Sequence, residues 1–358
     1  IRADDYEANR HYFLSQYFRD TYDESMQNLP VVNSPVRITR IEVYIVNTQA
    51  NTQDVRNVIA FTDLGEHPDH MSSDLPISDL TDDPDLSVNA ARNPDNANNE
   101  IFMDMSGNPA VMGFSGAGAA ISSIVGVDGQ PIYSPGIHYE RVGNARRLTA
   151  TEFTFNDKLG FVSLRQSLNN AEVLGIAFEY TMGGQTYQVG TLSQDGYAAP
   201  SALLLKMLKS SVTRVSLENG DTAPLWDLMM KNVYSLGAFG LSAENFRLGI
   251  WYNDPATGVD LNYIPREPLE GELLMQLLDM DRIDINGQAQ PDGVFDYVDN
   301  AATLGGTIHS QNGRVFFPTV EPFGGTLRSK IEARVEDPAQ AQALIQTIVY
   351  QPLYDSTK

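Results

Sequence analysis

The chain has 358 residues, 24 of them Lys or Arg and 46 Asp or Glu, for a net charge of −22 at pH 7. A chain of this length buries roughly three-quarters of its unfolded surface, and a surface this negative repels phosphate backbones and anionic lipid, which argues against nucleic acid as a partner. The absence of Cys excludes disulfides, Cys-ligated zinc, iron–sulfur clusters and thiol nucleophiles. The opening Ile1-Arg2-Ala3-Asp4 carries no initiator Met and no signal segment, and reads as a mature chain or an excised piece.

The first residues read as a helix. Asp4 and Glu7 have capping-box spacing, and Tyr6, Phe13, Leu14, Tyr17, Phe18 and Tyr22 recur at helical intervals before Pro30 stops the run. β-Branched runs predict strands at 38–46 and 58–61. The stretch 62–100 is acidic and broken by Pro68, Pro76, Pro84 and Pro94, with Arg92 its one basic residue; it reads as an irregular surface excursion with little to bury. Residues 105–127 carry no charge, but six Gly or Pro positions break them. A membrane helix needs about 20 mostly apolar residues, so this reads as a buried or loop-like Gly/Ala segment.

Beyond Pro135, short strands are expected around Phe153, Phe155 and 161–164. Gly183-Gly184 between two alternating runs signals a hairpin over 173–180 and 185–189. Helices are expected at 201–209, 224–235 and 269–280. Asp292-Gly293 and Asn312-Gly313 mark turns before short strands, and Asp337-Pro338 starts a last helix that runs to about Tyr350. The fold class expected is α+β, with antiparallel β-rich hairpins, small sheets and several short helices. Composition divides the chain into an N-terminal helix plus β unit (1–65), the acidic Pro/Gly-rich excursion (66–134) and a hairpin-and-helix unit (135–358).

Three constellations could carry chemistry. Glu66-His67-Pro68-Asp69-His70 collects metal-ligand types, but Pro68 prevents the helix that would align the two His. Gly113-Phe114-Ser115-Gly116-Ala117 falls short of a nucleophile elbow, since Ala117 stands where Gly is required; His11, His138 and His309 would be the partners available to Ser115. Asp281, Asp284, Asn286, Asp292 and Asp296, closely spaced around Gly287 and Gly293, offer the oxygen ligands a calcium ion needs, though without EF-hand spacing. The competing reading of that stretch is a helix end followed by Asx turns.

A series of segments then carries a resemblance: DYEANRHYFLSQYF (5–18), ITRIEV (38–43), DLGE (63–66), ARRL (145–148), EFTFN (152–156), LGFVSL (159–164), EYT (179–181), GQTYQVG (184–190), WDLMMKN (226–232), PDGVFD (291–296) and QPLYDST (351–357). In this order they resemble the SprA/Sov family, the very large outer-membrane translocons of the type IX secretion system of Bacteroidota. The resemblance covers most of the chain outside about 68–134. It implies a fragment of a much longer protein whose wide β-barrel exports folded cargo across the cell outer membrane and which serves gliding motility. It also implies as partners a small shuttle barrel protein, a periplasmic plug protein and the secreted cargo. The fragment would be a water-exposed insert that caps or lines the pore, with adjoining strands of the large barrel left open. Asp221-Thr222-Ala223 resembles the O-glycosylation acceptor of exported proteins in that group.

The function expected from this stage is therefore a non-catalytic part of a secretion pore, with no cofactor unless calcium binds, and with Asp82, Asp83 and Asp85 part of a hydrated, non-adhesive surface. The alternative is a calcium-stabilised cell-surface adhesin or carbohydrate-binding module. A hydrolase using Ser115 or an acid pair is the third class, and no residue pattern favours it.

Overall fold

The computed structural model describes residues 1–46, 55–72, 74–75, 80–81, 88–300 and 305–357. The Asp82, Asp83 and Asp85 cluster lies outside the described residues. The chain forms two compact units, one comprising Ala8–Thr21 and Ser34–Met230, the other Ile1–Glu7, Tyr22–Asn33 and Lys231–Lys358. These units do not follow the compositional divisions at 65/66 and 134/135, because strand pairing joins segments that composition separates.

The first unit contains β1 (His11–Phe13), β2 (Val36–Ile45), β3 (Val55–Phe61), β4 (Tyr139–Arg147), β5 (Phe153–Asn156), β6 (Phe161–Leu164), β7 (Leu174–Met182), β8 (Gln185–Val189) and β9 (Leu203–Lys209). β1, β6 and β5 make a small antiparallel sheet. The larger sheet runs β2-β4-β3-β9-β7-β8, and β2 also pairs with β7, so five of its strands close into a ring. Every pairing in that ring is antiparallel except β3 with β9, where Val58 faces Leu203 and Phe61 faces Lys206.

One apolar cluster draws on all five ring strands, through residues such as Tyr44, Ala60, Val142, Ala177, Leu205 and Met207, and fills the ring. Small residues suit so narrow an interior. A side chain at Gly175 would meet Leu205 and Ala60. On the opposite face of β3 and β9, Ile59, Phe61 and Leu204 pack against Ile101, Met105, Val111 and Ile121 of three short helices, Ile101–Gly107, Pro109–Met112 and Ala117–Ser122. Each such buried side chain contributes about 1.5–3 kcal/mol. The uncharged stretch is thus, as far as Ser122, part of a helical cover on the ring, and among the described residues no helix is long and apolar enough to cross a membrane.

The hairpin expected at Gly183-Gly184 is present. Both glycines have positive φ (59° and 81°), the conformation a two-residue type I′ turn requires. Elsewhere tertiary pairing overrides local preference. The predicted helix at 201–209 is instead β9, whose seven residues are all buried between β3 and β7. Leu and Met favour helix in isolation, but a central strand buried on both faces accepts them equally. The helix expected from Tyr6 to Tyr22 is divided: Asn9 takes φ 58°, β1 pairs with β6, and helices occupy only Gln16–Asp20 and Tyr22–Met26. The helix expected at 224–235 ends at Leu228 and gives way to a strand from Val233. Nor is 62–100 a bare surface excursion: Asp63, Leu64, Glu66, Asn93, Asn98 and Asn99 are all buried.

The second unit contains β10 (Val233–Ser235), β11 (Tyr252–Asn253), β12 (Asp260–Leu261), β13 (Ile308–His309) and β14 (Arg314–Phe316). They form a three-stranded sheet β10-β14-β13 and a two-stranded ribbon β11-β12. The turn at Asn312-Gly313 leads into β14 as expected, whereas Val294-Phe295 after Asp292-Gly293 is not a strand. The helix expected at 269–280 is confined to Leu274–Leu277, since Gly271 and Asp279 both take positive φ. The helix Pro338–Ile348 starts as its sequence predicts, with the Asp337 carboxylate accepting the Ala339 N–H at 3.0 Å and Pro at the first helical position; a short helix, Pro352–Asp355, follows it. The longer of the two packs Ala341, Leu344 and Ile345 against Leu327 and Ile331 of the helix Gly325–Arg334.

Candidate functional site

The five oxygen-bearing residues proposed for calcium fall into two turns. Asp281 and Asp296 are buried, and Asp292 lies beside them. Asp281 accepts the N–H groups of Asp292 (3.0 Å) and Gly293 (2.9 Å) and the Gln276 amide (2.9 Å). Asp296 accepts the N–H groups of Arg282 (2.6 Å) and Ile283 (3.2 Å). Burial pushes the Asp296 carboxyl up to about 6, and the charges of Asp281 and Asp292 push the same way. Asp284 sits in a separate turn, accepting from the backbone of Asn286 (2.8 Å) and Gln288 (2.9 Å). Hydrogen bonds, the Gln288 N–H first, hold its carboxyl below the usual range. These carboxylates organise turns, and among the described residues no group of three or more His, Cys, Asp or Glu side chains is disposed to hold a metal ion.

The histidine-rich string is likewise engaged locally. His67 Nδ1 accepts the Asp69 N–H at 3.1 Å, and His70 faces Asp20 at 3.4 Å. Ser115 is exposed. The ring of His11 meets Ser163 at 2.8 Å, and that of His138 accepts the Ser134 N–H at 3.0 Å. Thr222 is half-buried in a turn where Leu217 N–H donates to the Asp221 carbonyl at 2.7 Å.

Two arrangements were not visible in the residue pattern. In the first unit, Lys206 projects from the helix-covered face of β9 and is 1 % exposed, as are Glu66 and Asp63 from the turn after β3. Lys206 Nζ lies 2.8 Å from Glu66 Oε1 and also donates to the Thr62 carbonyl. Glu66 Oε1 accepts the Gln16 N–H at 3.1 Å. Asp63 Oδ1 accepts the Ser72 N–H at 3.3 Å, and among the described residues Asp63 Oδ2 has no hydrogen-bond partner. One cation therefore serves two buried carboxylates. Burial pushes the Asp63 carboxyl up to about 7; Lys206 opposes that shift, while Glu66 and Asp74 add to it.

In the second unit, a cleft of about 520 Å³ opens beside the ribbon β11-β12. Asn253 pairs with Asp260 across the ribbon, so the two side chains stand on one face, and Trp251, two residues earlier, shares it. Asn253 donates to Asp260 at 2.8 Å. The indole of Trp251 lies over Gly249, where an added Cβ would come within 3.0 Å of Nε1. The apolar part of its lining includes Leu236, Leu248, Val315, Phe317 and Phe323. No family model matches the chain, and no curated protein does.

Proposed function

We propose that the chain is a non-catalytic part of the protein-conducting outer-membrane translocon of type IX secretion, a water-exposed insert that caps or lines the pore for folded cargo. The observation that carries this reading is how the resembling segments meet. β1, β6 and β5, drawn from the stretches 5–18, 159–164 and 152–156, pair with one another into one sheet. Glu42 of 38–43 faces Arg147 of 145–148 at 3.3 Å, and Arg40 faces Glu179 of 179–181 at 3.3 Å. Gln16 donates to Glu66 of 63–66 at 3.1 Å. Such contacts are what a shared architecture would preserve.

The strongly negative composition suits a wall that folded proteins must pass without adhering. The reading assigns surfaces, not a catalytic centre. It is tested by affinity purification of the intact gene product from its native membrane. The shuttle barrel and plug proteins should copurify, and the polypeptide should be several-fold longer, with strand-rich flanks. An intact product that ends near Lys358 and brings neither partner would overturn it.

A further inference from the structure

We propose that a small cavity at His138, in the first unit, is a binding site for a small monovalent anion such as chloride or formate. This goes beyond the secretion reading and stands without it. The cavity measures about 30 Å³, and its walls include Thr62, Gly136, Ile137, His138, Arg214 and Pro224. Val212, also on the wall, is 52 % exposed, so the cavity reaches the surface. One water needs about 10–15 Å³ of such space, so the volume takes a single small anion and leaves no room for a sulfate or a chain segment.

The polar groups that face this space are donors. His138 is 8 % exposed, and its Nδ1 accepts the Ser134 N–H at 3.0 Å, which leaves the proton of the neutral ring on Nε2. Burial holds the ring's protonation below its ordinary range; the Asp74 charge opposes that shift and the Arg214 charge adds to it. The Nε2–H is buried and has no partner among the described residues. A buried donor without an acceptor destabilises a fold, and one that lines a cavity points to a ligand there. Arg214 brings its guanidinium to the same wall, and the contact with Asp74 at 3.1 Å engages one of five N–H donors. That contact also neutralises Asp74, the carboxylate whose charge acts on the ring. The acceptors on the wall are already engaged. The Thr62 hydroxyl donates to the Ile137 carbonyl at 2.6 Å, the Gly136 carbonyl accepts Ser210 Oγ at 2.7 Å, and the Pro224 carbonyl accepts the Gln16 amide at 2.9 Å. A water would need acceptors for its own two protons, whereas an anion needs only donors.

The intact protein, labelled with nitrogen-15 and held near neutral pH at constant ionic strength in sodium gluconate, is titrated with sodium chloride, sodium formate and sodium sulfate. Long-range proton–nitrogen spectra follow the five histidine rings. Chloride and formate should each shift the His138 Nε2 signal and saturate at millimolar concentration, while sulfate should not. Arg214→Gln should weaken the response about fivefold, the worth of one partly exposed charge, with circular dichroism checking its fold. A His138 ring that carries its proton on Nδ1, an equal response to sulfate, an Nε2 proton that exchanges with water and ignores both small anions, or a response that the folded Arg214→Gln variant leaves unchanged would each overturn the proposal.

Discussion

Asp63 makes the stability of the first unit depend on pH in a direction opposite to that of most carboxylates. Folded, it is 1 % exposed, and Lys206 is already held by Glu66 at 2.8 Å. Its carboxyl therefore keeps a proton up to about pH 7, whereas the unfolded chain releases that proton near 4. A group whose folded pKa is raised stabilises fully below the unfolded value, and that stabilisation is lost as pH rises through the folded value. Each unit between costs about 1.4 kcal/mol, so over about three units the loss is on the order of 4 kcal/mol. Asn is isosteric, stays neutral and can still accept the Ser72 N–H, so Asp63→Asn removes the dependence. Urea unfolding followed by the buried Trp226, which lies in the same unit, measures it. Variant and wild type should be nearly equally stable at pH 4, with the variant pulling ahead as pH approaches 8. A difference that stays flat across this range, or a carboxyl carbon resonance of Asp63 that titrates near 4, would refute the reasoning.

Lys206→Met leaves Glu66 buried without its cation and should cost about 3–5 kcal/mol; adding Glu66→Gln should recover much of this in chemical denaturation. Gly160 takes φ 61°, and a side chain there would run into the ring of Phe18, so Gly160→Ala should cost on the order of 2–4 kcal/mol and lower the melting temperature. Asp337→Ala removes the cap of the helix Pro338–Ile348 and should cost about 1 kcal/mol, with amide exchange quickening first at Ala339. Because Asp281, Asp284, Asp292 and Asp296 are engaged by backbone N–H groups, millimolar calcium should leave the melting temperature unmoved. A rise of several degrees that a chelator reverses would show that those turns reorganise around the ion.

What could be read from the residues is what short-range chemistry decides. The Gly183-Gly184 hairpin and the Asp337-Pro338 helix start are set within a few residues, and both are present. The Leu- and Met-rich 203–209 was legible only as a helix, because nothing local distinguishes a doubly buried strand from a buried helix. That one error hides the buried charge cluster. Glu66 stands in a string singled out for its carboxylates and imidazoles, but its partner Lys206 is 140 residues away on a strand read as something else. The Trp251 cleft has no sequence signature either. It depends on the pairing of Asn253 with Asp260 and on β10 and β14 bringing Leu236, Val315 and Phe317 to the same place.

The ring of strands imposes an order on biosynthesis. β2 lies along β7 and β3 has β9 as its parallel neighbour, so β2 waits for the chain to reach Met182 and β3 for it to reach Lys209. A ribosome-bound or partly translocated chain shorter than this presents unpaired strand edges rich in Val and Ile, the condition that recruits chaperones and proteases. Termination before Lys209 should therefore leave the ring unclosed and yield a product fit for degradation.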